Sequence, residues 1–495
     1  MRFFKDIKGI KTIRESFKTK QVKYGGYAAL MTVAVIVGLL FLNLIMGQLS
    51  FQLDMTESRI FSLSEQSLQV VDNIDTPVRI FGLWRPGERF PLANNRDYIE
   101  DVTAIINLYT SRNSNITMEL IDPDRNPGFV LRFDLERRGL ARGSVVVEGV
   151  NGHRVLSPME MYDFTQTQGG GISITGVAIE RSLTTTLLFL STGVTPMMYE
   201  ITGLDTLPLG PLGMREQMER DNIGLGSIEL LSEPIPADAS ALILNQPQRD
   251  LTPMEAEILL DYLENGGRLL VLADYTIGEL YYLNTVFASF GFRLDYGVLH
   301  EADPGFAVFD ERSTWPDVLV HQITGPLMDR RENPILMFES MSISPIEPRR
   351  ATIEYTPLLL SSNAAFLRTN LDDTSPHMIY SDIPGPHTLA AAIMEPSWLQ
   401  NENDPQARIV VIASGTMLAI AGAGGFVGNR DLFLNSLAWL QDRPETITVR
   451  SRSLLLLPLR LSSVQIVGFA GLFIFVIPMV FFVTGFVTWL KRRHL

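Results

Sequence analysis

Two long apolar runs, Tyr27–Met46 and Val464–Leu490, bracket everything else in this 495-residue chain. Each reaches the roughly 20 residues needed to cross a hydrocarbon core. The first reads YAALMTVAVIVGLLFLNLIM, with Asn43 as its strongly polar residue; the second has Gln465 near its start and Pro478 inside it. Core helices of globular proteins keep a polar face, and these runs are apolar all round. The MGQLSFQ that follows the first run has no small-x-small cleavage pattern, so the run is expected to stay as an anchor. Two transmembrane helices are therefore expected, over 25–47 and 464–490.

Charge orients them. Residues 1–24 carry Arg2, Lys5, Lys8, Lys11, Arg14, Lys18, Lys20 and Lys23 against Asp6 and Glu15. By the positive-inside rule this end is cytoplasmic, and two spans bring the 491–495 tail, with Lys491, Arg492 and Arg493, back to the same side. Phe3, Ile7, Ile10 and Phe17 fall near helical spacing among the lysines. That suits either a basic amphipathic helix on an anionic leaflet or a solvated cationic tail. Residues 25–490 hold 30 basic and 53 acidic side chains, so the stretch between the spans is an acidic extracytoplasmic body. The implied location is the bacterial inner membrane, with membrane lipids as neighbours.

A net charge of −14 leaves no broad cationic surface for a nucleic acid. With no cysteine there is no disulfide, thiolate metal site or cysteine nucleophile. The histidines are isolated, without HExxH or HxH spacing, and no GxSxG elbow or Walker motif occurs. Gly169–Gly171 lacks the context of a phosphate cradle, and Gln166–Gly176 is read as a connector. The expectation is a chain without catalytic residues, metal or cofactor.

Within the body, Ser62 and Glu65 have capping-box spacing ahead of an apolar stripe at Leu68, Val71 and Ile74. Strands are read at VRIFGLW (78–84), ITMELID (116–122), SVVVEG and HRVLSP, with helices between, which predicts a small thioredoxin-like α/β domain over 52–164. It would be a scaffold, since no CxxC exists. From 177 to 450 a larger α/β domain is expected. Thr252 and Glu255 repeat the capping-box spacing, Gly266-Gly267 close that helix, and RLLVLA (268–273) and RIVVIA (408–413) read as buried strands. Asn429 is read as the cap of a helix and Asn435 as a buried amide. Strands alternating with helices predict a doubly wound, mostly parallel sheet. Such sheets place ligands at the carboxyl ends of strands, which makes Asp274, Ser414 and Thr416 the candidate ligand pocket. In the spans, Asn43 is an amide suited to an interhelical hydrogen bond, and Gly468, Gly471 and Pro478 permit close packing or a kink.

Three motifs, in order, carry a family resemblance. LDMTESRIFSLSEQS after the first span resembles a D-(L/M)-T-x-x-x-x-(Y/F)-S-L-S opening. The segment from DNIGLGSIELL to NGGRLLVLAD resembles the middle signature, and GNRDLFLNSLAWL the closing one, ahead of a basic stretch and the C-terminal span. Over roughly 49–495 the chain resembles the gliding-motility-type (Gld-type) auxiliary component of ABC transporters. The resemblance implies a large domain similar in fold to class I glutamine amidotransferases, here without their cysteine and hence a degenerate copy. Ala413-Ser414-Gly415-Thr416 stands where the family commonly has an acidic stretch, which weakens any metal role there. It also implies partnership with an ABC-2-type permease and, through it, a cytoplasmic ATPase. The expected function is a non-catalytic auxiliary subunit whose acidic body receives or gates substrate. The alternative is a stand-alone, membrane-anchored envelope-binding protein or glycan hydrolase.

Overall fold

The computed structural model describes residues 27, 30–41, 62–92, 96–134, 140, 142–166, 172–275, 278–328, 334–395, 406–422, 427–441, 452–453 and 471–493. The chain divides into two compact units, Met1–Ile60 and Phe61–Leu495. In the first, residues 30–41 are helical and their apolar side chains, Leu30 and Phe41 among them, are exposed.

The second unit opens with α1 (Glu65–Asp72). Its N-cap is Ser64, whose hydroxyl accepts from the Ser67 N–H, rather than Ser62. A distant carboxylate decides this: Glu180 accepts from the Ser64 N–H at 2.6 Å and from the Ser67 hydroxyl at 2.7 Å. Then come β1 (Val78–Gly82), α2 (Tyr98–Arg112), β2 (Ile116–Leu120), α3 (Pro127–Phe133), β3 (Val145–Gly149) and β4 (Gly152–Leu156). They form a sheet of order β2-β1-β3-β4. β1 runs parallel to β2 and antiparallel to β3, and β3 antiparallel to β4. Phe81, Leu83, Phe133 and Val146 fill one face of it.

The expected connector is a hairpin instead: β5 (Tyr162–Gln166) pairs antiparallel with β6 (Ile172–Val177). The run of glycines before it in sequence hid the alternating Ile172 and Ile174, which are a strand signal. α4 (Ile179–Thr192) then packs on β3 and β4.

The large sheet is built next from β7 (Met197–Ile201), α5 (Met214–Arg220), β8 (Gly224–Ile228), β9 (Ala239–Asn245), α6 (Pro253–Glu264), β10 (Arg268–Leu272) and α7 (Tyr281–Ser289). A β-rich stretch follows that the sequence pattern does not announce: β11 (Phe292–Asp295), β12 (Val298–His300), β13 (Ser313–Thr314), β14 (Asp317–Val318), β15 (Met337–Phe338), β16 (Ser342–Pro345), β17 (Glu354–Leu360), β18 (Phe366–Arg368), β19 (Ile383–Pro384) and β20 (Thr388–Glu395). β21 (Ala407–Ile412), α8 (Met417–Gly422), α9 (Val427–Leu440), β22 (Arg452–Ser453) and α10 (Ile477–Arg493) complete the chain. β22 adds to β6.

The ten-stranded sheet has the order β11-β16-β20-β21-β10-β9-β7-β8, with β17 on β20 and β14 on β17. β21, β10, β9, β7 and β8 are parallel neighbours, whereas β20, β16, β11, β17 and β14 pair antiparallel. The mostly parallel sheet expected from sequence is thus a mixed one. Its antiparallel half comes from strands that do not alternate with helices along the chain, several of them only two to four residues long, which is why the pattern does not reveal them. The central parallel strands β9, β10 and β21 are apolar on both faces because both are covered. Leu270, Leu272, Val410 and Ile412 pack with Met214 and Met218 of α5 and Leu432, Phe433 and Leu437 of α9. On the other face Leu269, Val271, Ile409 and Val411 pack with Leu259 and Leu263 of α6 and Leu283 and Phe287 of α7.

Among the described residues no helix is long and apolar enough to cross a membrane. Asn43 and Gly468 lie outside the described residues. Gly471 has nothing within 4 Å of where a Cβ would stand. Pro478 is the second residue of α10 and has no N–H to donate; a wider π turn, Leu472–Val476, precedes it.

Candidate functional site

The carboxyl ends of β9, β10 and β21 lie side by side, with Leu272 opposite both Asn245 and Ile412. This brings the three residues expected from sequence together. Asp274 follows β10, and Ser414 and Thr416 follow β21. They do different things. The Ser414 and Thr416 hydroxyls both donate to the Phe338 carbonyl, at 2.8 and 3.1 Å, and lie 3.2 Å apart. They tie down the end of β15, and the Met341 N–H reinforces this by donating to the Ala413 carbonyl. Asp274 accepts main-chain N–H bonds, from Tyr275 at 3.0 Å and from Thr416. Burial pushes its carboxyl up to about 7, and the nearby Glu339 charge adds to the rise against those two N–H donors.

Two further residues shape the site. Gln246 holds a left-handed φ of +49° immediately after β9, and its N–H donates to the Leu272 carbonyl. A Cβ on Gly415 would strike the Gln246 side chain, so only glycine lets Gln246 lie across the turn after β21. The Gln246 Nε2 and the Asn245 Oδ1 are buried without a hydrogen-bond partner. Glu339, φ +47°, pairs with Arg312 at 3.0 Å. Gln246 was discoverable as the polar end of an apolar strand; Glu339 was not, because a loop from far along the chain delivers it.

Asn429 is not a cap. It lies inside α9, accepts from the Leu336 N–H and donates to the carbonyls of Leu336 and Met417, stitching α9 to the loop before β15. Asn435 is a buried amide, donating to the Ile323 carbonyl at 2.9 Å. Among the described residues, no group of three or more His, Asp or Glu side chains is placed to hold a metal ion. A cleft of about 940 Å³ opens at the opposite, amino edge of β9 and β10, lined by Leu231, Ile235, Ile258, Tyr262 and Asp261. That is away from the edge where open α/β sheets hold ligands.

Residues 201–436, from the end of β7 into α9, match the family model of an ABC-type uncharacterized transport system. This supports an ABC transporter auxiliary component. Residues 57–152, which include β1, β2 and β3, match a domain of unknown function. No curated protein matches the chain. Among solved structures, the mmIFT52 N-terminal domain aligns at TM-score 0.35 and 14% identity, over 49% of this chain and 96% of that one. The exo-β-1,4-mannosidase Op5Man5 from Opitutaceae bacterium strain TAV5 aligns at TM-score 0.25 and 12% identity, over 66% of this chain and 47% of that one. The auxiliary component's association with an ABC transport system rests on the family match alone.

Proposed function

We propose that the protein is a non-catalytic, membrane-anchored auxiliary subunit of an ABC transporter. Its apolar segments, 25–47 and 464–490, would cross the inner membrane and pack on an ABC-2-type permease that a cytoplasmic ATPase drives. The acidic body would stand outside, receiving or gating the transported substrate. The match over 201–436 is the observation that carries this reading. The order β2-β1-β3-β4, with β3 reversed, supports a thioredoxin-like scaffold for the small sheet. Five parallel strands covered by helices on both faces support an amidotransferase-like large domain. The commitment of Ser414 and Thr416 to a main-chain carbonyl supports a structural rather than catalytic part for them.

The test is purification of the tagged full-length chain from native membranes. Permease and ATPase should co-purify at fixed ratio. Asn43→Leu with Gly471→Leu removes an amide and forces backbones apart, so it should weaken recovery in increasing detergent by a few kcal/mol at most, on the order of 1–2. Wild-type recovery would place the contact in the body instead, and absence of both partners from the wild-type preparation would sink the assignment.

A further inference from the structure

The small and large sheets meet at a junction built from charged and polar groups. From β4, Arg154 donates to the carbonyls of Glu219 (3.3 Å) and Arg220 (3.2 Å), at the C-terminal end of α5, and to the Asn222 side chain. Asn222, at a left-handed φ of +55°, donates in turn to the Thr185 carbonyl of α4 at 3.0 Å.

Asp221 lies beside these bonds. Both of its carboxylate oxygens are buried without a hydrogen-bond partner, and so is the Gln217 Nε2 one turn earlier on α5. Its charged neighbours are already engaged. Arg181 of α4 pairs with Asp163 of β5 at 3.2 Å, and Arg430 of α9 with its neighbour Asp431 at 3.5 Å. Asp221 thus faces two guanidiniums that each hold a carboxylate of their own, and a third, Arg154, whose hydrogen bonds go to main-chain carbonyls and Asn222. An unpartnered buried carboxylate is among the most unfavourable groups a fold can carry. Junctions between bodies that are polar rather than apolar permit relative motion by default.

We propose that this junction is a hinge between the small and large sheets, and that Asp221 is the group that favours its opening. Opening would hydrate Asp221 while Arg181 and Arg430 keep their partners. The hinge also has a lever: β22, from the segment leading toward α10, pairs with β6, whose other neighbour β5 carries Asp163. The hinge stands whichever partner the chain has.

Its pH dependence has a definite sign. Burial raises the Asp221 carboxyl above its ordinary value when the junction is closed, against the pull of Arg181 and Arg430, with Asp431 adding to the rise. Arg154, itself close to Glu160, is the remaining charged neighbour. The closed form is therefore favoured at low pH and loses ground as pH rises.

The absence of cysteine makes the test simple. Asn107→Cys on α2 and Glu257→Cys on α6 place spin labels at exposed positions of the full-length chain in detergent. Pulsed dipolar spectroscopy should find two distances, the longer one growing severalfold in population between pH 5.5 and 8.5. In Asp221→Asn the shorter distance should dominate at both pH values. One distance that ignores both pH and the substitution would mean a rigid, water-filled joint and would overturn the hinge. The wild-type pH series decides the matter even if Asp221→Asn fails to fold.

Discussion

Asp274 shows how one residue becomes chemically unusual through its surroundings. Its carboxyl is buried at the end of β10, receives only main-chain N–H groups and faces the negative Glu339. The folded chain holds it at about 7, against 3.8 ordinarily, so the folded state keeps a proton that the unfolded state has released. Stability from this group is full below about pH 4 and is lost as pH rises through about 7. Wild type should lose on the order of 2–4 kcal/mol across that window, since a tenfold change in proton affinity is worth about 1.4 kcal/mol and residual hydration takes a share. Asp274→Asn should abolish that slope. Denaturant unfolding of both chains at pH 4, 5.5 and 7.5 checks it, and parallel curves would contradict the assignment.

At the scale of elements, α6 and β8 are opposite cases. α6 is signalled locally: Thr252 accepts from the Glu255 N–H, and Glu255 accepts from the Thr252 N–H at 2.7 Å. Arg249 adds a pair at 2.9 Å and, with the N–H bond, holds Glu255 down to about 2. That contribution is present above pH 4.5 and is lost as pH falls through about 2. Thr252→Ala should cost about 1 kcal/mol, read as a shift in the denaturation midpoint with unchanged slope. An unchanged midpoint would mean that Arg249–Glu255 holds the helix start unaided. β8, GLGSI, carries no such signal. Its glycines serve a neighbour: a Cβ on Gly226 would come within 2.6 Å of the Tyr199 ring on β7, and one on Gly224 would strike Met197. Glycine stands at these positions because the Met197 and Tyr199 side chains of β7 take the space, and the strand is held by its parallel pairing with β7.

For the whole molecule the decisive quantity is the distribution of charge against apolar length. A basic amino-terminal segment, two apolar runs and an acidic stretch between them predict both ends inside and the body outside. Protease added to intact spheroplasts should digest the body and spare tags at either end; loss of an N-terminal tag would reverse the topology. In the described part of the C-terminal run the large apolar side chains are exposed. Phe482, Phe486 and Trp489 stack along α10 with ring centroids 6.3 and 5.9 Å apart, and all three are exposed. Thr484 turns its hydroxyl back to the Val480 carbonyl at 2.8 Å, as Thr192 of α4 does to Leu188.

What was legible in the sequence is whatever local chemistry enforces. Strands β9, β10 and β21 are continuous apolar runs because they are buried on both faces, and the start of α6 is written in two residues three apart. The position of Asp274, Ser414 and Thr416 at strand ends followed from the same pattern. Long-range contact decided the rest. Ser64 displaced Ser62 as a cap because Glu180, far along the chain, reaches back to it. Asn429 became a tie to Leu336 rather than a cap. The strands from β11 to β20 are held by partners remote in sequence rather than by alternation with helices, so the βα pattern did not announce them. Asp221 and its two engaged arginines belong to this second kind. Three separate segments must fold before that carboxylate is buried, and nothing in the neighbourhood of residue 221 encodes the event.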